Sequence, residues 1–147
     1  MPEVAFHAEL ADRTGYACRL LRKALRRGAR VRVVGEAAEI DRLDVALWTF
    51  EAQDFVPHVR LREGLGAAAL RAPIWLQEPD RPWPQSLPAP DVVVNLGPQP
   101  VTDPGSATRI IELVGSDPSQ RQAGRERWRH YQAAGLNPAA VSAAQAG

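Results

Sequence analysis

Tyr16-Ala17-Cys18-Arg19-Leu20-Leu21-Arg22-Lys23-Ala24-Leu25-Arg26-Arg27-Gly28-Ala29-Arg30-Val31-Arg32-Val33-Val34-Gly35 carries two periodicities in succession. Up to Arg27, the apolar Ala17, Leu20, Leu21, Ala24 and Leu25 recur at helical spacing, and Arg19, Arg22, Lys23 and Arg26 take the opposite side. Gly28 stands where a helix would leave its last turn through a left-handed residue. From Arg30 the β-branched residues cluster and the run stops at Gly35, which predicts a strand. A helix that feeds a strand through a short turn opens the alternation expected of an α/β sheet.

The flanks continue it. Upstream, Val4 to Phe6 alternates weakly and predicts a short first strand, with Asp12 or Thr14 placed to cap the helix. Downstream, Ile40, Leu43, Leu47 and Phe50 form one face of a second helix over 37–50, and Trp48 projects about 120° from the centre of that stripe. Residues 51–70 lack a sustained period and predict a structured loop with a short extended segment. Ile74-Trp75-Leu76 is a strand candidate between prolines. Prolines crowd 79–100 and exclude regular structure there, except in Val92-Val93-Val94-Asn95-Leu96. Arg109 to Val114 fits a strand or the end of a short helix. Ser116-Asp117-Pro118 supplies a cap and a first-turn proline, so a last helix is expected from Pro118 to about Ala134, stopped by Gly135.

The order predicts a three-layer α/β fold with a largely parallel sheet and helices on both faces. Residues 1–136 form one domain in this reading, and the Ala-rich 137–147 is expected to be a disordered tail. The chain has 147 residues, so a single core can bury about 68–70% of the unfolded surface without disulfide or metal. A lone cysteine, Cys18, excludes an internal disulfide and reads as a small buried hydrophobe of a reduced, cytoplasmic protein. No apolar run reaches the roughly 18–20 residues of a membrane span, and the N-terminus shows no signal-peptide pattern. The net charge of +1 does not mark a nucleic-acid binder.

Several chemistries lack their residues. The sequence has no GxxxxGK[ST] phosphate loop, and its single lysine, Lys23, falls within a helix. Gly64-Leu65-Gly66-Ala67-Ala68-Ala69 matches a relaxed dinucleotide fingerprint without the preceding apolar strand; it keeps open an alternative, a small nucleotide-binding enzyme using the Gly64–Gly66 loop. His7, His58 and His130 are scattered without metal-ligand spacing, His58 after Pro57 reads as a satisfied turn residue, and Asp41 and Asp44 read as a solvated helix face. Cys18 has no evident activating partner. Seven basic residues without an acid lie between Arg19 and Arg32. They could meet single-stranded DNA directly, but no interleaved aromatics offer stacking, and a solvated face is the simpler reading. Elimination favours a non-enzymatic role without a cofactor.

The last helix offers something positive. Arg121, Arg125 and Trp128 fall on adjacent lines of one surface, with Tyr131 at the inner edge and Arg129 at the outer. Guanidinium groups beside aromatic rings suit a peptide that ends in acidic and apolar residues. Periodicity alone favours the simpler reading, an amphipathic helix with core aromatics and solvated arginines.

Three blocks share an order and a spacing: Leu43-Asp44-x-Ala46-Leu47-Trp48, Phe55-Val56-Pro57-His58, and Gly124-Arg125-Glu126-Arg127-Trp128-Arg129-x-Tyr131-x-Ala133-Ala134-Gly135. With Asp91 to Leu96 and Ile111 to Val114, they resemble the chi subunit family of bacterial DNA polymerase III holoenzyme over most of residues 1–136. The resemblance implies a non-catalytic accessory subunit with a nucleotide-binding-like fold that lacks a phosphate loop. It implies a bridge from the clamp-loader complex, through the psi subunit or an equivalent, to the acidic C-terminal tail of single-stranded-DNA-binding protein. DNA would be met only indirectly, no membrane is involved, and a heterodimer is expected. By position, Arg125 matches the family's principal arginine for the tail, with Arg121, Trp128, Tyr131, Trp48 and Gly135 elsewhere in that pocket. Phe55, with Val56 and Pro57, matches the position that binds psi.

Overall fold

The computed structural model describes residues 1–49, 55–62 and 66–142. In chain order the elements are β1 (Glu3–Leu10), α1 (Arg13–Arg26), β2 (Val31–Val34), α2 (Ala37–Thr49), β3 (Val59–Arg60), α3 (Ala67–Arg71), β4 (Ile74–Gln77), β5 (Val92–Asn95), β6 (Arg109–Gly115), α4 (Pro118–Ala133) and β7 (Pro138–Val141). The strands form one sheet in the order β3-β4-β2-β5-β6-β1-β7. Every pairing is parallel.

The register sorts side chains to two faces. Val31, Ile74 and Val94 share one face with Ile111 and Leu113, and α1 and α2 cover it through Ala17, Leu21, Ile40, Leu43 and Leu47. The other face carries Val4, Phe6 and Ile110 beneath Tyr131 of α4, and Trp75 beside Ala69 of α3. This is the expected three-layer α/β arrangement with helices on both faces.

Local signals set most boundaries. Asp12 caps α1, its carboxylate accepting from the Gly15 N–H at 3.0 Å. Gly28 leaves that helix at φ +75, a conformation in which a side chain would be strained. Asp117 caps α4, with Pro118 in the first turn. Residues 109–115 are a strand throughout, because β6 pairs on both sides, with β1 and β5.

Three expectations need correction. The first strand is eight residues long, because the chain beyond Phe6 stays paired with β6 and β7; a register shift between His7 and Leu10 carries Glu9 at φ 61. The 51–70 region includes helix α3, which buries Ala69 against Trp75. The tail expected to be disordered from 137 contributes β7, since Pro138 to Val141 extend the sheet along the free edge of β1. Residues 143–147 and Phe50 lie outside the described residues. No described helix is long and apolar enough to cross a membrane.

Candidate functional site

The face of α4 turned from the sheet is strongly basic. Arg121, Arg125 and Arg129 are exposed along it, and Trp128 is half-buried, its ring centroid 5.0 Å from that of Phe6. Trp128 thus shows part of an aromatic surface to solvent while β1 supports the rest. Gly124 lies against the sheet, where an added Cβ would meet Val114 at 3.1 Å, so the helix approaches closely and its outward face is set. Arg121 donates to Glu9 of β1 at 2.7 Å, and this carboxylate beside it raises the guanidinium pKa further. Arg125 donates to Gln122 at 3.2 Å on its own helix.

Beneath this face runs a buried polar network. Glu112, fully buried on β6, accepts from Arg127 Nε at 2.8 Å, Tyr131 OH at 2.5 Å and Asn95 Nδ2 at 2.9 Å. Burial lifts the Glu112 carboxyl above the ordinary value, with Arg127 and the donated hydrogen bonds pulling it back. Tyr131 also accepts the Val101 N–H at 2.8 Å, and its phenol is pushed up by burial and by Glu112. Tyr131 is 1% exposed, so it is a structural post under the basic face and not part of an open pocket. Gly135, at φ +86, turns the chain out of α4 and lets the Leu136 N–H reach the Tyr131 carbonyl at 2.9 Å.

Trp48 belongs to a different place. It is 60% exposed on α2, in the opposite helical layer from α4, and its ring lies 5.1 Å from Phe55 and 5.2 Å from His58. The structure therefore separates Trp48 from Arg125 and joins it to the Phe-Val-Pro-His block. The helical wheel could not show this, because the partner ring comes from the loop after the helix. Phe55 is 57% exposed and Val45, one turn before Trp48, is exposed as well, so the three make an apolar patch. Val56 is buried and Pro57 half-buried, and they anchor the loop. His58 clamps it further: its ring nitrogens lie 2.7 Å from the Val56 carbonyl and 2.8 Å from Asp44 of α2.

The remaining candidates resolve simply. Cys18 is buried and its thiol is pushed up to about 11, which makes it a poor nucleophile. Of the glycine loop, Gly64 and Leu65 lie outside the described residues. Gly66 precedes the five-residue α3, and the strand before it, β3, is a two-residue edge strand and not the sheet-centre strand at which dinucleotides are held. The basic run divides: Arg32 leaves it for the sheet, 4% exposed, donating to Gln77 at 2.8 Å. Glu9, Asn95 and Glu112 escaped the sequence reading. The last two had a visible signal, since each interrupts an apolar strand run, whereas the Glu9 contact spans 112 residues.

The chain matches the family described as DNA polymerase III chi subunit, HolC, over residues 1–139. It is similar to DNA polymerase III subunit chi of Pseudomonas aeruginosa, with 31% identity over 129 residues that cover 87% of this chain and 84% of the relative. It is equally similar to DNA polymerase III subunit chi of Escherichia coli K12, 31% identical over 121 residues, covering 82% of this chain and 78% of that protein. A family match across nearly the whole length, joined to two such relatives, settles the assignment: the chain belongs to the DNA polymerase III chi subunit family.

Proposed function

We propose that this chain is a non-catalytic connector in replication, holding the acidic C-terminal tail of single-stranded-DNA-binding protein on α4 and the clamp-loader side, through psi or an equivalent, on the Trp48–Phe55 patch. The observation that carries the reading is the separation of two unlike surfaces onto opposite helical layers. One is basic with an aromatic edge; the other is apolar. A bridge needs two such faces, because partners of different chemistry can then be held at once.

On α4, Arg125 and Arg121 supply paired donors for carboxylates, and Trp128 beside Phe6 supplies an apolar edge for a terminal aromatic residue. Gly135 ends the face. Single-contact affinity is modest and salt-sensitive, since exposed charges are screened over about 8–10 Å at physiological ionic strength. Several tails on one partner raise the effective concentration. On α2, Phe55 and Trp48 present aromatic area of the kind that dominates interface energetics, with Val56 and Pro57 holding Phe55 outward.

The test is fluorescence polarisation with a labelled peptide ending in acidic residues and Ile-Pro-Phe, at low and high salt. The native chain should bind and weaken with salt, and Arg125→Ala should abolish binding. An affinity unchanged in Arg125→Ala would remove α4 from the assignment.

A further inference from the structure

We propose that the crevice over the carboxyl end of β2 binds a small oxyanion, the phosphate or carboxylate group of a hydroxylated molecule, apart from both surfaces above. Its place follows from the sheet. β2 leads to α2 on one face, whereas its neighbours β4 and β5 run into segments 78–91 and 96–108, whose Leu87 and Val101 pack on the other face. The diverging exits leave a crevice of about 340 Å³ beyond the strand ends, the place where open parallel sheets hold ligands.

The base is Arg32, whose guanidinium is oriented from behind. Its Nε donates to Gln77, and Gln77 is itself fixed by donating to the Pro82 carbonyl at 3.1 Å. The terminal nitrogens are held loosely: Nη1 lies 3.3 Å from the Asp103 carbonyl and 3.5 Å from its carboxylate, and Nη2 lies 3.3 Å from the Arg81 carbonyl. A guanidinium closes on oxyanions at about 2.7–2.9 Å and takes two oxygens side by side, so this buried fork falls short of its ordinary contacts. Trp83 lies over the guanidinium, its ring centroid 5.5 Å from Cζ, which leaves the edge as the approach. The counter-charge, Asp103, has a side chain 59% exposed on a loop and is free to turn to solvent when an oxyanion arrives. The rim selects the rest of the ligand. Arg81, Asp80 and Asp103 line it, so with Arg32 the four charges balance and a polyanion is not favoured. Asp80, Gln99 and Thr102 are exposed there as acceptors for hydroxyl groups.

The experiment is an NMR titration of the labelled full chain with ribose 5-phosphate, gluconate, inorganic phosphate and ribose. Ribose 5-phosphate or gluconate should shift the Arg32 Nε–H, the Trp83 indole and the Gly97 amide, and whichever saturates first names the oxyanion. Inorganic phosphate should bind there about threefold more weakly, and ribose should shift nothing. Asp103→Asn removes the competing carboxylate from an exposed loop and should tighten binding about threefold, the size of a weak ion pair. Arg32→Gln should abolish binding, read at native thermal stability; if that variant does not fold, Asp103→Asn decides. Arg125→Ala should leave binding unchanged. The inference is overturned if neither hydroxylated anion moves these signals, or if the shifts are confined to α4. It is equally overturned if ribose or inorganic phosphate binds as well as both, or if Asp103→Asn binds no tighter, which is what a purely structural Arg32–Asp103 tether requires.

Discussion

The two faces of the sheet are built on different principles. Under α1 and α2 the core is one continuous apolar cluster; the buried polar groups on that side among the described residues are His7, held 2.6 Å from the Tyr16 hydroxyl, and His58, held 2.8 Å from Asp44 of α2. Under α3 and α4 there are two small apolar clusters, and between them a polar band of Arg32, Gln77, Asn95 and Glu112. The apolar face gains from area removed from water and tolerates small adjustments of its helices. The polar face holds its helix through directional bonds from Arg127 and Tyr131, so α4 has one position. That is the helix whose outer side carries the proposed peptide face.

The contrast is broken most severely at Glu112. Glu112→Leu leaves Arg127 buried without its partner and should cost about 3–5 kcal/mol in denaturant unfolding. Adding Arg127→Met should recover much of that loss. On the apolar face Leu113→Ala should cost about 2–5 kcal/mol, with no charged partner whose removal restores it. A single Glu112→Leu that unfolds like the native chain would mean the band is decoration.

Next in size is the α2 patch. Trp48→Ala and Phe55→Ala should each weaken binding of the clamp-loader-side partner by about 2 kcal/mol in calorimetry, because both rings are exposed and pack against each other at 5.1 Å. Neither should alter the affinity for the acidic tail peptide. An equal loss of tail binding in Trp48→Ala would put the tryptophan back with Arg125.

Glu9 sharpens the reading of α4. Its carboxylate occupies Arg121 in the position a partner's carboxylate would take. Glu9→Gln should tighten the tail peptide by about two- to fivefold in fluorescence polarisation, the range of an exposed ion pair. Unchanged or weaker binding would show that Arg121 contributes little.

The smallest effect is a pH slope on the apolar face. Burial, Arg109 and Lys23 hold His7 below its usual 6.5, so the unfolded chain takes up a proton that the folded chain resists. Stability should therefore fall as pH drops below about 6.5, and His7→Gln should flatten that part of the profile in thermal melts.

Much of the fold was legible because local chemistry and tertiary environment agreed. Gly28, Asp12, Asp117 and Pro118 mark helix ends with their own conformations and hydrogen bonds, and the runs around Val33, Val93 and Ile111 are dominated by buried aliphatic, largely β-branched residues, as strands of a buried parallel sheet are. β7 was not legible, since Pro138-Ala-Ala-Val has little strand character and is extended because β1 offers it a free edge. Nor was α3, whose short alanine run is helical beside Trp75 and takes the tryptophan Nε1–H on the Ala69 carbonyl at 2.7 Å.

For the candidate sites, periodicity determined that Arg121, Arg125 and Trp128 share a surface and that Tyr131 turns inward, because rotation per residue depends on nothing outside the helix. The sequence alone likewise determined the parallel α/β class, from the alternation of its periods. Only tertiary structure decided that Tyr131 meets Glu112, that Arg121 meets Glu9, and that Trp48 packs against Phe55 in the layer opposite α4. Those contacts join separate elements, and their partners are chosen by the strand order and register of the sheet, which bring residues as much as 112 positions apart to one point.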